Sequence, residues 1–527
     1  MSDEGRVNEP SAEAAPSTEA EAQRERDEDN EAANRKAARD AGIYAYSRVA
    51  GSLLLFLVIA VGARIYTKTE LAYLGVILLV YETSLALGTL GLVDAVFYFI
   101  GRDPKAGNHI VRQTSLLLAC FAIPAIAIGS LAGWATSDAE LDIMPALPWV
   151  ALALALELPT LPAVNQLIAS DHVRLASGLF IGLALLTTLA MLVPGLSGFS
   201  ITMVPFAMAV AGGVRLLVHL TLMRRFFPLP PSEAPREWLN KPRLREILAF
   251  ALPAGIGMLA GKLNPQIDKF AARLLLDTDS FANYTAAARE IPLITLVPYA
   301  IAAVMQTRYV RLFHANDLAG LRELWYRNVR KTALIVVPMA MVIITLGQDV
   351  IVLIAGAKYA NAALPFQIFT AVILHRVAGY GAMLQSIGRT RVIMVSALML
   401  VISNALLTVP LTHLLGYSGP ALASVIALVP PMLITLTQIG KAFGRGLVDA
   451  LPWRFYGGVL GLSALIGVGV WLGLQQLPLG IAGRLGVGIV GYLAAFALLG
   501  RLFGLIERDD LRYVWRWLTL RMFSSPT

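Results

Sequence analysis

With 527 residues, 57% of them hydrophobic and only 15% charged, and a mean hydropathy of +0.66, the chain is too apolar for a soluble protein, which would carry about 25% charged residues. Its formal charge of +8 does not point to nucleic acid, because the cations lie in loops between apolar runs. The single cysteine, Cys120, excludes an intrachain disulfide and reads as a small buried apolar residue.

Residues 1–41 are rich in Glu, Ala, Asp, Ser and Pro and lack any aromatic, so they read as a disordered acidic tail. The tail has no apolar h-region and is not a signal peptide. Apolar runs of bilayer-spanning length then follow, about fourteen in all, near 43–66, 70–100, 109–134, 146–168, 173–194, 200–223, 245–275, 280–307, 330–355, 361–388, 390–414, 418–442, 453–475 and 480–503. Runs of this length predict an all-α polytopic membrane protein. A β-barrel would show short alternating segments instead.

Charge sets the orientation. With the N-terminus inside, the outer loops hold only Arg64, Lys68, Arg273, Lys358 and Arg484, and the many other loop cations fall inside. Both termini are therefore expected in the cytoplasm. The pattern divides into an N-terminal lobe at 42–226, a Pro-rich cytoplasmic linker at 227–243, a C-terminal lobe at 244–443 and two further spans within 444–503. Residues 504–527 read as an amphipathic helix at the membrane interface, with Arg508, Arg512 and Arg516 at four-residue intervals.

The turn after the first span, ARIYTKTELAYL, is echoed after the seventh by ARLLLDTDSFANY. Both start with Ala-Arg and pass through a short polar turn into a helix, and with one gap Glu82 falls on Glu290. Parallel repeats of this kind are a transporter architecture, with the substrate site between the halves.

Charges inside spans carry the functional signal, since each costs about 2.5–3.5 kcal/mol at mid-bilayer. Lys262, Gln266, Lys269 and Arg273 are spaced by four, three and four, which places them on one stripe of a helix. Like charges on one stripe need an anionic counterpart, and phosphate or diphosphate suits them. Asp268 lacks a cation at i±3 or i±4, so Arg289 or Arg48 is a candidate partner. Pro253, Pro265 and three glycines predict a kink in this span. Arg48, Arg215, Arg289 and Arg376 complete the candidate cavity cations; Glu82, Glu157, Asp268 and Glu290 are candidate ion-pair or coupling carboxylates. Pairing within the membrane and service to a wet cavity both remain open for each residue. There is no HExxH, P-loop or Gly-x-Ser-x-Gly, which leaves no catalytic assignment, metal site or ATP site.

ARIYTKTELAYLGVILLVYETSLALGTLGLVDAVFYFIGRD (63–103), QIDKFAARLLLDTDSFANYTAAARE (266–290), RYVRLFHANDLAGLRELWYRNVRKTAL, VLIAGAKYANAALPFQIFTAV and LQSIGRTRVIMVSALMLVISNALLTVPLTHLLGYSGPALASVIA occur in that order. Together they resemble the polysaccharide-transporter branch of the multidrug/oligosaccharidyl-lipid/polysaccharide (MOP) flippase superfamily, over about residues 43–450. Asp268-Lys269 stands where that family has Asp-Arg, and the acidic tail has no counterpart in the family pattern.

The resemblance implies two helical lobes around a central cavity in a bacterial cytoplasmic membrane. It implies flipping of an undecaprenyl-diphosphate-linked oligosaccharide to the outer leaflet by alternating access, with no bound cofactor and with H⁺ or Na⁺ as coupling ion. By position, Arg48, Lys262, Lys269 and Arg289 would meet the diphosphate and sugars. Partners would be membrane lipids and polysaccharide polymerases or glycosyltransferases. A multidrug or organic-cation exporter is the competing transporter. An intramembrane glycosyltransferase or ligase and a non-transporting scaffold are competitors from other classes.

Overall fold

The computed structural model describes residues 18–103, 106–226, 228, 240–288, 305–306, 308–507 and 510. Every regular element among them is helical. Ten stretches are long and apolar enough to cross a membrane, or eleven when a bent helix is counted as one span. The count of about fourteen differs for identifiable reasons. The eighth expected span falls mostly outside the described residues. The eleventh and twelfth make one 54-residue stretch, Thr390–Phe443, which turns back on itself at Gly416 with φ 57°. The tenth is interrupted between Leu374 and Tyr380. The expected interfacial helix at 504–527 lies mainly outside the described residues.

Helix α1, Thr18–Ile65, begins well inside the segment expected to be disordered. Low hydrophobicity argues against a packed core but not against a lone helix. Ala, Glu, Arg and Lys are strong helix formers. Thr18–Ala41 therefore extends about 36 Å beyond the apolar part of α1. The end of the bundle carrying this extension is the tail face; the opposite end is the far face.

The first block continues with α2 (Lys68–Thr89), α3 (Leu92–Arg102), α4 (Gly107–Thr136), α5 (Leu147–Glu157), α6 (Pro162–Ala169), α7 (Val173–Leu196) and α8 (Met203–Phe226). Every residue from Leu71 to Tyr81 is buried, so α2 is a central column that packs on α4, α5 and elements of the second block. Cys120, expected to be buried, lies exposed on α4.

The second block starts with α9 (Lys241–Leu275) and α10 (Thr278–Ala287). It continues with α11 (Leu318–Thr345), α12 (Gly347–Ala355), α13 (Ala363–Leu374), α14 (Tyr380–Ser386), α15 (Thr390–Leu415), α16 (Gly419–Ala427), α17 (Val429–Phe443), α18 (Trp453–Gln475) and α19 (Ile481–Leu502).

The expected kink is present: Lys241–Pro253 and Gly255–Leu275 meet at 49°. The bend lies against a break in the first block, where Leu90 and Gly91 have φ of 35° and 77° between α2 and α3. A Cβ on Gly255 would stand 2.1 Å from the Leu90 carbonyl oxygen, and one on Gly91 would stand 2.7 Å from that of Ala251. Only glycine at both positions permits this backbone-to-backbone crossing.

The two turns matched in the sequence share a local design. Thr67 caps α2 with ψ 170° and closes a capping box with Glu70; Asp277 caps α10 with ψ 164° and accepts from the Ser280 N–H. Toward the far face one apolar core takes in both blocks, from Val58, Ile59 and Tyr66 to Phe281, Tyr284, Ile351 and Phe366.

Candidate functional site

The stripe on α9 lies along the seam between the blocks, facing α2. Gln266 donates to Glu82 at 3.0 Å, and Lys269 pairs with the same carboxylate at 3.2 Å. Lys269 also donates to the Gln266 carbonyl at 3.3 Å, so the three side chains are linked to one another. A turn nearer the tail face, Lys262 donates to the Thr89 hydroxyl at 3.2 Å and is otherwise exposed. At the far end Arg273 reaches Asp138, in the loop after α4, at 2.6 Å.

Exposure falls along this line. Lys262 is open, the Lys269 side chain is 15% exposed and Arg273 is 5% exposed. The strip is therefore exposed at its tail-side end and buried at its far-side end. Helical spacing read from sequence places these four residues on one stripe. It did not supply their partners, because Thr89, Glu82 and Asp138 come from the other block.

Asp268, one residue from Lys269, points elsewhere. It is buried and accepts from the Tyr284 hydroxyl at 2.7 Å, the Ser424 hydroxyl at 3.2 Å and the Lys269 N–H at 2.9 Å. Two hydroxyls and a backbone amide are its partners among the described residues, and of the two expected arginines Arg289 lies outside them. Beside it, Asn404 of α15 donates to the Asn264 side chain at 3.3 Å, linking α15 to α9. Hydroxyls within apolar runs, such as Tyr284 and Ser424, carried no charge signal, so the sequence did not single them out.

Arg48 is exposed on α1, its guanidinium 4.8 Å from the centre of the Phe180 ring, and it is not the partner of Asp268. Arg215 and Glu157 pair inside the first block. Tyr81 donates to Glu157 at 2.6 Å, and Arg215 also donates to the Leu183 carbonyl at 3.1 Å and to Thr187. This network lies apart from the α9 strip. Arg376 is half-buried in the interruption between α13 and α14, not in mid-helix. Arg289 and Glu290 lie outside the described residues.

On the far face the blocks are tied reciprocally. Arg64, at the end of α1, donates to the carbonyls of Leu353 and Ile354 in the second block, at 3.1 Å to the latter. Arg273, its match in the repeat, bonds Asp138 in the first. Lys68 and Asp279, in the first turns of α2 and α10, pair at 2.7 Å. Thr278 donates to Glu140, and Lys358 to the Tyr66 carbonyl.

Burial pushes the Asp138 carboxyl up. The Arg273 hydrogen bond and charge, with the N–H groups of Leu141 and Glu140, outweigh that and hold it below its ordinary range.

A model of the family described as "Polysaccharide biosynthesis protein" matches residues 61–364. Among solved structures, the lipid II flippase MurJ in an inward closed conformation superposes with a TM-score of 0.65 at 14% identity, covering 88% of this chain and 99% of that one. An inward-facing multidrug resistance MATE transporter of the MOP superfamily gives 0.55 at 16%, covering 81% and 96%. A MOP superfamily transporter from Pyrococcus furiosus, with a binding pocket described as of reverse polarity, gives 0.53 at 14%, covering 77% and 96%. No curated protein matches the sequence. At these identities the structural likeness concerns the fold, which is that of MOP-superfamily transporters.

Proposed function

The chain belongs to the polysaccharide biosynthesis protein family, and from that premise we propose that it flips an undecaprenyl-diphosphate-linked oligosaccharide from the inner to the outer leaflet of a bacterial cytoplasmic membrane. The observation that carries this reading is the α9 strip, exposed at Lys262 and buried at Arg273, on the seam between the blocks. The blocks act as two lobes with the tail face in the cytoplasm, as the loop cations favour. A diphosphate arriving from that side meets Lys262 first, and then competes with Glu82 for Lys269. Lysine acts here as a point charge rather than a two-pronged clamp, so the head group is held without a fixed orientation.

Release requires the far-face ties to part and the tail-face crossing to close, which is alternating access. The coupling ion acts at Asp268. Its oxygens and those of Ser424 and Tyr284 suit a proton or a sodium ion equally well, and either would neutralise the carboxylate next to Lys269. Polysaccharide polymerases and glycosyltransferases would supply and consume the cargo. An organic-cation exporter would want a carboxylate-rich seam, and the described part of the α9 stripe carries Lys262 and Lys269 toward α2.

The test is flipping of a lipid-linked oligosaccharide in proteoliposomes. Lys262→Ala with Lys269→Ala is expected to reduce it to the level of empty vesicles while insertion and melting stay unchanged. Wild-type flipping by that variant would discredit the assignment.

A further inference from the structure

Helices α1 and α7 leave a shallow, open groove of about 580 Å³ between them. One wall is a stripe of α1 that includes Ile43, Ala50 and Leu53; the other is Arg174, Ser177 and Gly178 of α7. The groove faces away from the seam. Arg48, five residues on from Ile43, falls about 140° round the helix. It shares its face with Ile59, Ala63 and Tyr66, which are buried in the protein core. Of the groove's α1 stripe, Tyr46 and Leu53 are exposed.

Three observations give this groove a ligand. Arg174, near the tail-face end of α7, is exposed. Its neighbours are neutralised among themselves, Lys36 by Asp171 at 3.2 Å and Arg39 by Asp40 at 3.7 Å, and no described carboxylate pairs with Arg174. Ser177 is 5% exposed, and its hydroxyl, which lines the groove, has no hydrogen-bond partner among the described residues. A buried hydroxyl left unbonded is costly, and a ligand oxygen would satisfy it. Gly178 keeps the wall low, for a Cβ there would meet nothing within 4 Å.

A cation at head-group depth, an orphan hydroxyl below it and an apolar trough below that match the order of groups along a phospholipid. We propose that this groove binds an anionic phospholipid of the leaflet on the tail side. Arg174 meets the phosphate, Ser177 donates to an ester or glycerol oxygen, and one acyl chain lies between α1 and α7. The lipid would brace α1 against α7. The site is separate from the cargo path and does not depend on what the cargo is.

The full-length chain in phosphatidylcholine vesicles, probed with phosphatidylglycerol bearing a photoreactive acyl chain, tests this. Labelling is expected to concentrate on residues 43–53 and 174–181, and to be competed by unlabelled phosphatidylglycerol but not by phosphatidylcholine. Arg174→Gln should erase that preference, a change of about fivefold, the scale of one basic residue at an anionic surface, and Arg174→Lys should restore it. Gly178→Leu should displace the label from the groove with melting unchanged. Three results would each overturn the proposal: label spread evenly over the lipid-facing helices, equal competition by both phospholipids, or stronger competition by a polyprenyl diphosphate, which would make the groove the cargo's.

Discussion

Two charged pairs in this molecule look alike in sequence and differ in what they join. Glu157 and Arg215 both belong to the first block, are 7% and 10% exposed, and are enclosed by Tyr81, Thr187 and the Leu183 carbonyl. Glu82 and Lys269 come from different blocks, are 29% and 15% exposed, and share their bonds with one amide. A pair within one bundle persists through any movement of the blocks, so it serves to hold the bundle together. Under the proposed alternating access, a pair across the seam breaks as the blocks part, so its energy is available to a competing anion. On that reading, charge inside the membrane marks function when its partner lies across the seam.

The largest effect should come from the inner pair. Arg215→Ala leaves Glu157 buried without its cation and should cost about 3–5 kcal/mol, read as lost melting temperature and yield. Replacing both, with Glu157→Gln and Arg215→Met, should recover most of that loss and preserve transport per folded molecule. Transport that failed in the stable double variant would break the comparison by giving the inner pair a working role.

A smaller effect is expected at the crossing of the blocks. Gly255→Val places side-chain atoms where the Leu90 carbonyl stands, and should cost about 1–3 kcal/mol, with the tail-face ends forced apart. Hydrogen exchange at the Leu90–Gly91 amides would report the separation.

The seam pair should behave in the opposite way to the inner pair. Glu82→Gln is expected to change stability by less than about 1 kcal/mol, since the site is partly wet. It loosens the hold on Lys269 at the same time and, under the proposed function, should tighten binding of the diphosphate cargo while slowing its release. A stability loss as large as that of Arg215→Ala, with transport rates intact, would erase the distinction.

These contrasts also explain what the sequence made legible. Apolar run length gave the helices, and Pro253, Pro265 and three glycines gave a bend in α9 without its position, because these are local properties of the chain. Four-residue spacing gave the face of α9, since a helix fixes direction around its own axis. Nothing local fixes what a face meets, so the partners Thr89, Asp138, Tyr284 and Ser424 became visible only once the blocks were packed. The helical start of α1 at Thr18 was missed for a related reason. Composition measures the capacity to form a core, and a solvated helix needs none.

The far-face ties extend the comparison to its weakest case. Arg273 is buried and Asp138 is half-exposed, so their bond should contribute less than about 1 kcal/mol. Because the Asp138 pKa is depressed in the folded protein, its contribution is fully present above the ordinary carboxylate value, about 3.9, and is lost only as pH falls through the lower folded value. Between pH 5 and 8 the tie is therefore always charged and cannot by itself act as a proton switch. Spin labels at Thr69 and Asn361, with Cys120→Ser, would follow the far face directly. Their distance distribution should be constant over that pH range in the parent chain. Asp138→Asn should shift it modestly toward separation at every pH, because Arg64, Lys68 and Lys358 still bridge the blocks. A wild-type distribution that opened between pH 5 and 8 would show that another group controls closure, and Asp268, the buried carboxylate next to the seam, would be the first to substitute.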